Sequence, residues 1–409
     1  MSYIANIIAG WKVVPFGKLV RRSQYGLSEP STPEGVPYLK MSNIRDGKVM
    51  LEGADTLEVD EATLSAYALK RGDLVFNRTN SLDLVGKMGV FHSDAPAVFA
   101  SYLIRFQLDE EKADSRFVAA WFETTGVKHR LRCLATPGVS QSNINPTTLR
   151  AAMMVPRPPL PEQRKIADIL STWDEALEKL DALIAAKDRQ KQALMQQLLT
   201  GKTRVKGAKG KWKKVRMGEV LERVFRPIDW HADLPLNLVS LRRRCGGLFR
   251  RPEVKGSEYK TQDLHEIRTG DFLISKRQVV HGAWGYVTPE FEGGHVSKEY
   301  AILDNRAPDK LHMPFFAWLA QTRRLIRLAR VSSTGVHIEK LIFDPVVFLR
   351  ESIHIPADLA EQQQIATILD TADQELTFLR TQRQTLDQQK RGLMQRLLTG
   401  KIRVRVSTK

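Results

Sequence analysis

The residues that come closest to chemistry are TGKT at 200–203. They resemble the tail of a phosphate-cradling loop, in which backbone N–H groups and a lysine hold nucleotide phosphates. That loop needs a glycine five residues before Gly201, and the position holds Gln196. The phrase recurs as TGKI at 399–402, without the hydroxyl, so both copies read as helix ends capped by glycine. A nuclease would need clustered carboxylates with a lysine to hold Mg²⁺. Glu110-Glu111-Lys112 and Glu253-Val254-Lys255 have the Glu-x-Lys spacing, but neither triplet recurs in the other half of the chain. There is no HExxH, no glycine-rich dinucleotide fingerprint and no Gly-x-Ser-x-Gly elbow. Pro158-Pro159 lacks the flanking Asn or Asp and the aromatic of a methyl-transfer motif, and reads as a stiff helix entrance. Cys133 and Cys245 are too few for a disulfide framework or a cysteine zinc site, and the nine histidines show no metal spacing. The expectation is a binder with no catalytic residues, no metal and no cofactor of its own.

What it binds is suggested by charge. The 409 residues carry 63 Lys+Arg against 46 Asp+Glu, a net +17. So large a positive charge favours a polyanion, with nucleic acid first. No segment approaches the ~20 apolar residues of a membrane span, and the first residues lack the pattern of a signal peptide. A cytoplasmic protein without a membrane partner is expected.

The elements that would position a binding surface are written twice. Residues 160–205 and 359–404 align without a gap at an offset of 199, with 24 of 46 positions identical. In the first copy Ile166, Leu170, Trp173, Leu177, Leu180, Ile184, Leu194 and Leu198 follow the alternating four-and-three steps of a coiled-coil seam. Lys187 and Lys191 interrupt it. The second copy gives Ile365, Leu369, Ala372, Leu376, Leu379, Leu386, Leu393 and Leu397, with breaks at Arg383 and Lys390. Pro161 marks one start; Asp358 with Glu361 three residues on marks the other as a capping box. Gly201 and Gly400 mark the ends. Each helix would span ~57 Å, too long for one small domain, so each seam needs the other as an antiparallel partner.

Weaker echoes lie upstream of each helix. Trp11 is matched by Trp212, LKRGDLVFNR (69–78) by IRTGDFLISK (267–276), and TPGVSQSNI (136–144) by STGVHIEKL (333–341). The fold expected is α+β: two similar mixed α/β modules at 1–158 and 206–357, and two helical spacers at 159–205 and 358–409 forming an antiparallel coiled coil. DLVFNR and DFLISK read as short buried strands after a Gly-Asp turn, and residues 313–329 as one helix.

The phrases PRPPLPEQRKIADIL…LMQQLLTGKTRV and IPADLAEQQQIATIL…LMQRLLTGKIRV resemble the specificity subunit of Type I restriction–modification systems, and the resemblance covers the whole chain. It implies two target-recognition domains on two helical spacers, binding double-stranded DNA without performing chemistry. It implies two modification subunits that bring S-adenosylmethionine and methylate adenine. It also implies restriction subunits that bring ATP-driven translocation and Mg²⁺-dependent cleavage. The modules would each read half of a split asymmetric site, and the helices would set the unread gap.

Base reading needs paired donors and acceptors, whereas phosphate contact needs charge or small donors. In the first module these are Arg45, Arg78, Asn80, Lys87, Ser140, Gln141 and Asn143. In the second they are Lys276, Arg277, Gln278, His281, Ser332, Ser333, Thr334 and His337. Arg242, Arg243, Arg244 and Arg250 add a backbone grip.

Overall fold

The computed structural model describes residues 10–139 and 141–406, except the side chain of Glu339. They form two compact units: Met1–Asp181 with Thr381–Lys409, and Ala182–Arg380. Each unit therefore holds one module, the near half of one long helix and the far half of the other.

In the first unit, Lys12–Pro15 pairs antiparallel with Met154–Arg157, which brings the start and finish of the module together. Between them lies a six-stranded sheet in the order Val20–Tyr25, Leu103–Leu108, Leu74–Asn77, Met88–Val90, Lys48–Val49, Ile44–Arg45. Leu74–Asn77 is the expected strand, and it is buried throughout. A near-continuous apolar run suits a central strand covered on both faces. Helices Ser115–Phe122 and Thr125–Leu134 pack on the sheet through Phe117, Trp121, Val127 and Leu131.

The second unit repeats the plan with a smaller sheet. Trp212–Arg216 pairs with Ser352–Pro356. The central order is Leu221–Val224, Tyr300–Asn305, Phe272–Ser275, Trp284–Tyr286. Residues 313–329 do not make one helix. They divide into Met313–Ala320 and Arg323–Val331. The Thr322 hydroxyl donates to Leu319 O at 2.7 Å and accepts Leu325 N–H at 3.4 Å, ending one helix and capping the next.

The long helices run over Leu160–Leu198 and Leu359–Leu398, and they pack as an antiparallel pair within each unit. In the first, Lys390 meets Asp174 and Arg383 meets Asp181 at 3.0 Å. In the second, Lys187 meets Glu375 at 2.7 Å and Lys191 meets Asp373 at 2.5 Å. These are the four cations that break the apolar seam; each finds a carboxylate on the opposing helix. Ile166, Leu170, Leu177, Leu198, Ile365, Leu369, Leu376, Leu379 and Leu397 are buried, while Trp173, Leu180, Ile184, Leu194, Leu386 and Leu393 are half-buried. Ile166, Leu170 and Leu397 also belong to the first module's core, and Leu198, Ile365 and Leu369 to the second's.

Both helix starts are tied by the same two side chains. Glu162 accepts from Trp11 Nε1 at 3.2 Å and from the Arg403 guanidinium at 2.6 and 2.9 Å. Glu361 accepts from Trp212 and Arg204 in the same way. The capping box is thus half made: Asp358 accepts the Ala360 N–H at 3.0 Å, but Glu361 turns to Arg204 instead. Gly201 (φ +70°) and Gly400 (φ +75°) end the helices against the rings of Trp212 and Trp11, where a Cβ would lie 3.1 and 3.5 Å away. Helix termination against tryptophan therefore accounts for both TGK phrases.

Candidate nucleic-acid interface

In the first module two distant loops become one ribbon. Thr136–Pro137 pairs with Ser142–Asn143, which pairs in turn with Thr79–Asn80. Asn143 Oδ1 accepts from Arg78 Nη1 and from the Thr79 hydroxyl, each at 3.1 Å. The Arg78 guanidinium stacks over Tyr25, 5.1 Å from the ring centroid. This holds the Arg78 guanidinium by its face and by Nη1. Gln141 is exposed on the ribbon, and Asn80 and Lys87 are half-buried beside it. Exposed Leu82, Leu84 and Val139 accompany these polar groups. Ser140 lies outside the described residues.

Arg45 stands apart from this group. Its hairpin, Ile44–Arg45 with Lys48–Val49, is bound to the central helix through Lys48 and Glu178 at 2.7 Å. Arg45 lines a cleft of about 770 Å³ between module and helices, shared with Arg383 and Arg391.

The second module brings together three loops. Phe343 N–H donates to Lys276 O at 2.9 Å, joining the 276–281 loop to the strand that pairs with Ser333–Thr334. Arg244 N–H donates to His281 O at 2.7 Å and Cys245 N–H to Gly282 O at 2.9 Å, docking the arginine hairpin on the same turn. Arg244 and Cys245 adopt φ of +58° and +55°, a conformation costly for residues with a Cβ and held here by those two bonds. Within the hairpin Arg242 stacks over Phe249 and donates to Leu248 O, while Arg250 donates to Glu290 O. Arg243 and Arg244 stay exposed, with no carboxylate within salt-bridge distance among the described residues.

The remaining candidates divide by burial. Thr334 and His337 are exposed. Ser333 is half-buried and donates to Ala329 O at 2.8 Å. Arg277 pairs with Glu299, and Gln278 is half-buried. Lys276 donates to Lys298 O; burial, helped by nearby Arg223, lowers its ammonium pKa. Ser332 is a correction. It is 1% exposed, beneath the loop, with its carbonyl taking the Asp344 N–H, so its hydroxyl does not reach the surface. Sequence reasoning left Arg327 and Arg330 unassigned. Leu325 and Ala329 face the core from the same helix. Arg327 and Arg330 line a surface hollow of about 540 Å³ together with Val336 and His337. The helical spacing of the arginines against Leu325 and Ala329 is the signal that identifies this face.

Among the described residues no group of three or more His, Cys, Asp or Glu is arranged to hold a metal ion. No described helix is long and apolar enough to cross a membrane.

Residues 11–186 match the family model of the Type I restriction modification DNA specificity domain. The type I restriction enzyme MjaVIII specificity subunit of Methanocaldococcus jannaschii is 22% identical across 97% of this chain and 93% of its own. A further M. jannaschii sequence, MjaX, is 23% identical across 98% of this chain and 96% of its own. The crystal structure of a Type I restriction–modification S subunit from M. genitalium superposes with a TM-score of 0.60, at 15% identity over 96% of both chains.

Proposed function

This chain belongs to the DNA specificity subunits of Type I restriction–modification systems, and from that premise we propose that its two modules read the two halves of a split, asymmetric DNA site. The chain performs no chemistry; it selects sequence for subunits that do. The observation that carries the two-reader proposal is the doubled arrangement. Each module gathers polar loops from distant parts of its sequence into one surface, and those loops differ between modules. Arg78, Asn80, Gln141 and Asn143 read in the first module; His281, Thr334 and His337 read in the second, with Arg243, Arg244, Arg327 and Arg330 on phosphates. The ion-paired helices fix the number of unread base pairs between half-sites. Their repeated surfaces each receive one modification subunit, and restriction subunits join that assembly. S-adenosylmethionine, ATP and Mg²⁺ belong to those partners, and the complex works in the cytoplasm.

The test is module exchange. Replacing residues 206–357 with the corresponding segment of a relative, in the full chain with its modification partners, will change one half of the methylated site. The other half will stay as it was. Loss of preference at the old half-site should reach the thousand-fold scale that separates specific from non-specific binding. A change in both half-sites would refute separate reading.

A further inference from the structure

Val139 and Val336 are the most solvent-exposed of the large apolar side chains among the described residues, at 111% and 92%. A single exposed valine needs no explanation. Here the same residue stands at equivalent tips of two modules whose loops otherwise differ: PGVSQSN against TGVHIEK. In both it follows a glycine that sterics demand. Gly138 N–H donates to Gln141 O at 3.0 Å, and a Cβ on Gly138 would sit 2.5 Å from that oxygen. Gly335 has φ +148°, and its Cβ would lie 2.7 Å from Lys340 O. Each tip is therefore drawn tight at the glycine, and the next side chain projects outward.

The surroundings say what such a side chain would meet. Val139 lies in the turn of the hairpin Thr136–Pro137 and Ser142–Asn143, which carries Gln141 and Asn143 and pairs in turn with Thr79–Asn80. Val336 shares its hollow with Arg327, Arg330 and His337. Only the turn of the Val139 hairpin extends beyond these pairings; the DNA major groove admits an element of two strands, and the apolar group displayed among the base edges there is the thymine C5-methyl. We propose that Val139 and Val336 are specificity-determining contacts, each packing on the C5-methyl of a thymine in the half-site its module reads. The inference rests on the DNA-reading proposal above and adds a base and an atom to it.

The experiment uses the full chain with its modification partners and a site selected from random duplexes by the unaltered complex. Each thymine of that site is replaced singly by deoxyuridine, which lacks only the methyl. One thymine in each half-site should then bind about 4-fold more weakly, the worth of one buried methyl. Val139→Ala should abolish that sensitivity in one half-site and Val336→Ala in the other, with melting temperatures unchanged because both side chains are solvated. Uracil penalties that persist in both variants, or that appear at no thymine, overturn the valine assignment while sequence preference stands. An unaltered complex that selects no sequence overturns the DNA-reading proposal itself.

Discussion

The long helices and the module-tip loops have diverged to very different degrees within one chain. The helical copies keep 24 of 46 positions; the ribbon segments 137–143 and 334–340 keep only the glycine and valine of seven. Contacts explain the contrast. Gln163 accepts the Asp114 N–H and donates to Lys112 O and Pro158 O, at 2.9–3.1 Å. Gln362 repeats this with His312 N–H, Lys310 O and Pro356 O, at 2.8–2.9 Å. A buried amide with all its bonds fixed tolerates no replacement. Gln141 and His337 face solvent, so the fold places few demands on them. The frame repeats where side chains meet the same neighbours, and the surface varies where the fold supplies no neighbour.

The largest effect expected from this comparison is in the frame. Ile166 and Ile365 are both fully buried at equivalent positions in the two cores. Ile166→Ala and Ile365→Ala should each cost about 2–5 kcal/mol in denaturant unfolding, through lost burial and a residual cavity. Similar costs are expected because the surroundings repeat. A large loss at one site beside almost none at the other would break the equivalence of the two helix starts.

A smaller effect sharpens the other side of the contrast. Arg243 and Arg244 are exposed on a hairpin pinned to the His281 turn, whereas Arg242 and Arg250 are held by local carbonyls and rings. Arg243→Ala and Arg244→Ala should each reduce the slope of log affinity against log salt by about 0.9, weakening binding on all sequences alike. A slope unchanged in both variants would remove this hairpin from the phosphate contacts.

Much of the frame was legible because periodicity and repetition are local properties. The helix bounds, the glycine ends and the apolar seam follow from spacing alone. Lys187, Lys191, Arg383 and Lys390 read as interruptions because their carboxylates lie on the other helix, in a register that no single segment reveals. The identity of Glu162 and Glu361 was visible, but not its reason. Arg403 arrives from 241 residues away, and Trp11 from 151. The break at Thr322 was hidden in a continuous apolar run, since one hydroxyl serves two helix ends there. At the interface, the recurrence of polar loops was legible and the fate of single residues was not. Ser332 and Thr334 look alike in sequence; Ser332 is buried as the cap of the helix Arg323–Val331, whereas Thr334 is exposed on the short strand that follows.

The smallest expected effect concerns TGKT itself, where the two copies differ by one side chain, Thr203 against Ile402. Thr203 N–H donates to Gln197 O at 3.2 Å, and Ile402 N–H donates to Arg396 O at 3.1 Å. The backbone thus makes the same capping bond with either side chain, and the Thr203 side chain is exposed. Thr203→Ile, which writes the second ending into the first, should therefore change unfolding free energy by no more than about 0.5 kcal/mol, as at an ordinary surface position. DNA affinity should be unchanged as well. A nucleotide-cradling loop would behave otherwise, because its hydroxyl serves the metal and its lysine the phosphates. Equilibrium dialysis of the unaltered chain with ATP and Mg²⁺ separates the two cases. Saturable binding that Thr203→Ile abolishes would make this phrase a site, and the likeness of the two helix ends would then conceal a difference in function.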